Sequence, residues 1–238
     1  MLLEMIGIDV RTALLLLACS SLAITGWVYG LKFLKLGNQI LGYEYLIVGS
    51  SSVNFLFYNS TLYQPSYDLM IYLDAFSRAF GFPLLGTLGL MVVTHQLQVS
   101  TRNKVALFVV TLGLTAVMLY SDSFASILPY FYLVVIYPFC LYMFYVAKRL
   151  IDIKRAGVGV FLLVTTFANI VIATIYDFYK IPGEETNLVL NFFFLALVTW
   201  SVSFVAMYYA YITLDSVGII DDDDSLKLVP GAAITQDR

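Results

Sequence analysis

Seven stretches of almost unbroken apolar sequence, each long enough to cross a bilayer, leave this chain few ways to fold. They cover residues 12–31, 40–58, 69–95, 105–120, 125–147, 156–176 and 187–214. A helix rises about 1.5 Å per residue, so about 20 apolar residues cross a hydrocarbon core about 30 Å thick. No water in that layer can satisfy backbone N–H and C=O groups, which leaves helices or closed barrels. The runs are continuous rather than alternating, so they predict helices. The expected fold is an all-α polytopic membrane protein with seven transmembrane helices. Only 12% of residues are charged and the mean hydropathy is +0.87, against about a quarter charged in a soluble domain. Residues 1–214 therefore read as one transmembrane domain. Residues 215–238 read as a flexible acidic cytoplasmic tail, whose run Asp221, Asp222, Asp223 and Asp224 alone exceeds the net charge of -3.

The first run does not read as a cleaved signal, because Glu4 and Asp9 precede it and a signal peptide begins positive. The loops set the expected orientation. Lys32, Lys35, Arg102, Lys104, Lys148, Arg149, Lys154 and Arg155 follow the first, third and fifth runs, while the opposite side holds Arg11 and Lys180. The positive-inside rule then puts the N-terminus outside and the C-terminus in the cytoplasm, in a plasma (inner) membrane. Tyr58, Tyr63, Tyr67, Tyr130, Tyr132 and Tyr179 fall near the outer ends, as an interfacial aromatic belt does.

Several function classes drop out. The basic residues are scattered over short loops and offer no surface for nucleic acid. Cys19 and Cys140 lie inside apolar runs and read as packing residues rather than a disulfide. A single histidine, His95, builds no histidine metal site. There is no phosphate-cradling glycine loop and no nucleophile–base pair, so the expectation is a protein without catalysis, cofactor or metal.

The third run carries the exception to its apolar character. Asp74 and Arg78 sit four residues apart, on one helix face, where they can neutralise each other. Charges inside a span are costly and face a partner or a wet cavity. Gly81, Phe82 and Pro83 follow, where a helix bends, and Gly86 and Gly89 offer a close-packing seam. Asn54, Asn169 and Asn191 fall at comparable depth in other runs, with Ser50, Ser51, Thr165 and Thr166 below them. The candidate solute- or ion-binding residues are therefore Asp74, Arg78, Asn54, Asn169 and Asn191. The competing use of such side chains is to tie helices together.

Spacing also suggests a repeat. Gly42 precedes Asn54 by twelve residues, as Gly157 precedes Asn169; Pro65 precedes Asp74 by nine, as Pro182 precedes Asn191. Runs one to three and five to seven would be two parallel units joined by run four. In topology and in these polar positions the plan resembles the three-plus-one-plus-three architecture of the SWEET sugar transporters. The first and fifth runs lack that family's proline–glutamine signature.

The expected function is a transporter or channel for a small polar solute, with Asp74 binding a proton or cation. One alternative is a seven-helix sensor. It resembles rhodopsins in topology, yet the last run holds no lysine and makes no retinal Schiff base. Another is a non-catalytic subunit of a membrane complex, or a homo-oligomer.

Overall fold

The computed structural model describes residues 10–181 and 191–227, with side chains as far as residue 217. Among these residues the chain is all-helical, and seven helices are long and apolar enough to cross a membrane. They are α1 Val10–Lys35, α2 Gln39–Thr61, α3 Gln64–Thr94, α4 Thr101–Tyr120, α5 Leu128–Asp152, α6 Ala156–Ile175 and α7 Phe192–Lys227. Each apolar run has become one helix, with ends moved by a few residues. The exception is the last end. There the backbone is helical to Lys227, into the stretch from residue 215 expected as a flexible acidic tail. The expectations for Glu4, Asp9, Pro182 and the tail beyond residue 227 lie outside the described residues.

Local chemistry sets the ends. Gly37 turns the chain between α1 and α2 at a φ of +78°, a conformation that strains a residue bearing a Cβ. Asn38 then caps α2: its Oδ1 accepts from the Leu41 N–H at 3.1 Å. Its Nδ2 donates to the Gly89 carbonyl at 2.8 Å and ties that cap to α3. Pro65 stands in the first turn of α3, where its missing N–H costs nothing.

α3 is not uniform. Gln64–Phe76 and Thr87–Thr94 are α-helical, but Ser77–Gly86 between them is wound as a π-helix. The bend expected at Gly81, Phe82 and Pro83 takes this form. In an α-helix the ring of Pro83 would meet the carbonyl one turn back, and the wider π winding moves that carbonyl away.

Helices in lipid gain nothing from hiding apolar surface from one another, so close contact decides which of them pair. α1 and α2 cross on glycines: a Cβ on Gly26 would stand 2.8 Å from the Gly49 Cα. Gly89 performs the seam role expected of it, since its Cβ would stand 2.4 Å from Leu41 Cγ. α2 packs on α3, α5 on α6, and α6 on α7; α7 returns to α1, and α3 meets α5. α4 rests on α3. The result is two three-helix groups, α1–α3 and α5–α7, facing each other.

The two ends of the bundle differ. Toward the rim bearing the basic loops, hereafter the basic rim, the interior is filled. Phe33, Leu41, Leu90, Val146 and Leu150 are fully buried there. Tyr45 and Phe204 pack at 4.0 Å between ring centres, Phe82 and Phe204 at 5.3 Å, and Phe33 and Tyr45 at 5.1 Å. The Tyr45 hydroxyl also donates to the Phe204 carbonyl at 3.3 Å, joining the two groups. Toward the far rim they part around a cavity.

Candidate functional site: a cavity between the helix groups

The cavity holds about 580 Å³ and is walled by α1, α2, α3, α5, α6 and α7. Its surface is mostly apolar, with Phe82, Phe139 and Phe204 among its walls. Asp74 and Arg78 reach it from α3, and Asn169 from α6. Three of the five candidate residues therefore share one space.

Asn54 and Asn191 are elsewhere. Asn54 donates back to the Ser50 carbonyl of its own helix at 2.9 Å. Asn191 is buried before α7, where its Oδ1 accepts from the Phe194 N–H at 3.2 Å, as a helix cap does. Both are committed to backbone rather than to the cavity. Asp74 and Asn191, paired by the spacing argument, also differ in place: one lies well inside α3, the other ahead of the first turn of α7. Of the expected hydroxyls, Ser51, Thr165 and Thr166 line the cavity; Ser52 lines it in place of Ser50, one residue displaced in α2.

Arg78 does not lean mainly on Asp74. Its Nη1 lies 4.0 Å from the Asp74 carboxylate, while its Nη2 is hydrogen-bonded to Asp177, just beyond α6. The guanidinium also lies between two rings, 3.9 Å from the centre of Tyr132 and 3.8 Å from that of Tyr176. Stacked cation–π contacts of this kind strengthen as water is excluded. Tyr132, expected in the interfacial belt, is buried and serves the arginine instead. Asp177, which follows the sixth apolar run, is the arginine's closest partner.

The sum of these charges is informative. Two carboxylates share one guanidinium, so the ionised cluster carries one negative charge in excess. With Asp177 and two rings holding Arg78, Asp74 keeps its free oxygen for the cavity. No third His, Cys, Asp or Glu joins them among the described residues to form a metal-binding group.

Much of the remaining polar wall presents acceptors. Ser52, Thr165 and Thr166 each spend their hydroxyl hydrogen on a backbone carbonyl of the same helix, at 3.1, 3.0 and 2.7 Å. Ser51 donates to the Met70 carbonyl at 3.1 Å. Asn169 donates to the Thr165 carbonyl and to Ser203 Oγ, leaving its Oδ1 for a visitor. These four hydroxyls and the Asn169 oxygen recognise a ligand that brings its own donors, while the Ser77 hydroxyl, also on the wall, has no partner. Cys19 and Cys140 also line the cavity as free thiols.

One residue that the sequence reading passed over is Glu44. It is the single acid in the second apolar run, which was the available signal. It is wholly buried, and both carboxyl oxygens lack a hydrogen-bond partner. No protein-family model, curated protein or solved structure matches this chain significantly.

Proposed function

We propose that the chain is a transporter or channel that accepts a small solute into the cavity between its two helix groups, with no catalytic step. The observation that carries this reading is that Asp74, Arg78 and Asn169 line one space of about 580 Å³ inside a bundle of membrane-length helices. Side chains that only tie helices together close on one another and leave interiors densely packed. Here the packing is dense toward the basic rim and open beyond it.

The wall chemistry narrows the solute. A mostly apolar surface, the spent donors of Ser51, Ser52, Thr165 and Thr166, and a surplus negative charge favour a compact apolar body with a cationic or hydrogen-bond-donating head. Asp74 is the binding acid and Arg78 its counter-ion, held in place by Asp177. The positive-inside rule puts the basic rim in the cytoplasm, so this arrangement opens away from it. The two groups joined by α4 also favour a parallel repeat, in backbone plan if not in every polar residue.

The test uses Trp200, which lines the cavity, in a Trp27→Phe background that leaves it the sole tryptophan. Titration with an aromatic quaternary ammonium, such as benzyltrimethylammonium, is expected to change its emission saturably. Asp74→Asn is expected to weaken that binding at least ~10-fold, the loss of about 1.4 kcal/mol. Uptake of the labelled cation into reconstituted vesicles should fall with it. Binding indifferent to Asp74→Asn, or no uptake by folded protein, would remove the reading.

A further inference from the structure

Glu44 lies on the α2 face that also carries Ile40 and Ile47, against a cluster with Phe76 and Leu85 of α3. Its exposure is 0%. Its carboxyl rests flat on α3 at Gly81, inside the π-wound segment: a Cβ there would stand 2.1 Å from Oε1 and 2.5 Å from Oε2. Ser77, one turn earlier in α3, stands close enough to act on the carboxyl. Yet neither group is closed into a well-formed hydrogen bond, and the Ser77 hydroxyl has no other partner.

Among the described residues no cation answers this carboxyl. On α1, Lys32 lies over the rings of Tyr29 and Tyr208. Lys104 of α4 donates to Gln39, at the start of α2. On α3, Arg78 is bound to Asp177. Tyr45, the next residue of α2, is neutral and brings no positive charge to it. An ionised carboxylate in such a place, dry and unpaired, is not sustainable, and the group is neutralised instead. A metal ion does not fit that task, because the carboxyl is pressed on the Gly81 backbone and only Ser77 adds a side-chain oxygen. A proton needs no extra room, and it turns one bare acceptor into a donor for Ser77.

We propose that Glu44 is a proton-binding site set behind the cavity, with Ser77 as its gate to water. Ser77 lines the cavity and Glu44 does not. Release breaks the carboxyl O–H bond: the proton passes to the Ser77 oxygen while the Ser77 hydrogen passes to a cavity water, leaving carboxylate and hydronium. The uncovered charge then lies in an apolar cluster between α2 and α3, so release favours a looser fit of α3 on α2. The site does not depend on the identity of the solute, nor on transport itself.

Infrared spectra of the full-length protein in detergent and in vesicles test this. Wild type at neutral pH is expected to show a carboxylic-acid carbonyl band that shifts in D2O. Of the four glutamates, Glu44 alone lies among the described residues. The band should move on carbon-13 labelling of glutamate, not aspartate, which needs no variant to fold. Glu44→Gln should abolish it, Ser77→Ala should shift it, and Asp74→Asn should leave it. Replacing sodium by potassium should change nothing. A missing band, a band that follows labelled aspartate, or one that appears only when sodium is withdrawn would overturn the proposal.

Discussion

Arg78 reaches from α3 to Asp177, 99 residues away in sequence, and holds it more closely than Asp74 one turn back on its own helix. The contact joins the two helix groups near the far rim. Asp177→Asn is expected to lower stability by about 1–2 kcal/mol, because the pair is partly solvated. Combined with Arg78→Gln, the loss should be well short of additive. Thermal unfolding of the four proteins in one detergent closes the cycle; strictly additive losses would mean the two side chains do not meet in the membrane.

The rings of Tyr132 and Tyr176 flank the same guanidinium. Tyr132→Phe keeps a π face and should be nearly silent. Tyr132→Leu removes it and should cost about 1 kcal/mol. Equal effects of the two substitutions would assign the contact to shape rather than to charge.

Gly81 leaves no space for a methyl group against Glu44. Gly81→Ala is expected to destabilise by about 1–3 kcal/mol through overpacking. Glu44→Ala should recover part of that loss in the double variant, although on its own it opens a void. Melting temperatures in detergent read both. A silent Gly81→Ala would mean that α3 does not press on α2 at this level.

Asn38 serves two helices with one amide. Asn38→Ala loses the α2 cap and the bond to Gly89, at a cost of about 2 kcal/mol. Asn38→Asp keeps an acceptor for Leu41 but has no N–H for Gly89, so it should fall between. Hydrogen exchange at the first turn of α2 separates them: fast in Asn38→Ala, near wild type in Asn38→Asp.

The number and rough limits of the helices were legible because lipid imposes a length and an apolar composition, and both are local properties. Asp74 and Arg78 stood out for the same reason, being charges in an otherwise apolar run. Which partner each chose was not legible. Asn54 and Asn169 have matching spacings, yet only one faces the cavity, because helix rotation against its neighbours is set by packing. Asp177 follows an apolar run, where a carboxylate is ordinarily solvated, and its sequence neighbours say nothing of α3 reaching past it. Glu44 was visible as a lone acid, but its meaning depends on Gly81, in another helix. Gly26 and Gly30, four apart in the first run, carried a readable sign of the α1–α2 crossing.

Polar ties between the halves of the bundle sit at opposite ends. Arg78 and Asp177 join them near one rim, Tyr45 and the Phe204 carbonyl toward the other. Between the knots there is hollow rather than filler. A seesaw motion that spreads the halves at one end squeezes them at the other. Under the proposed transport reading, releasing one knot while tightening its opposite number would change the side on which the hollow meets water.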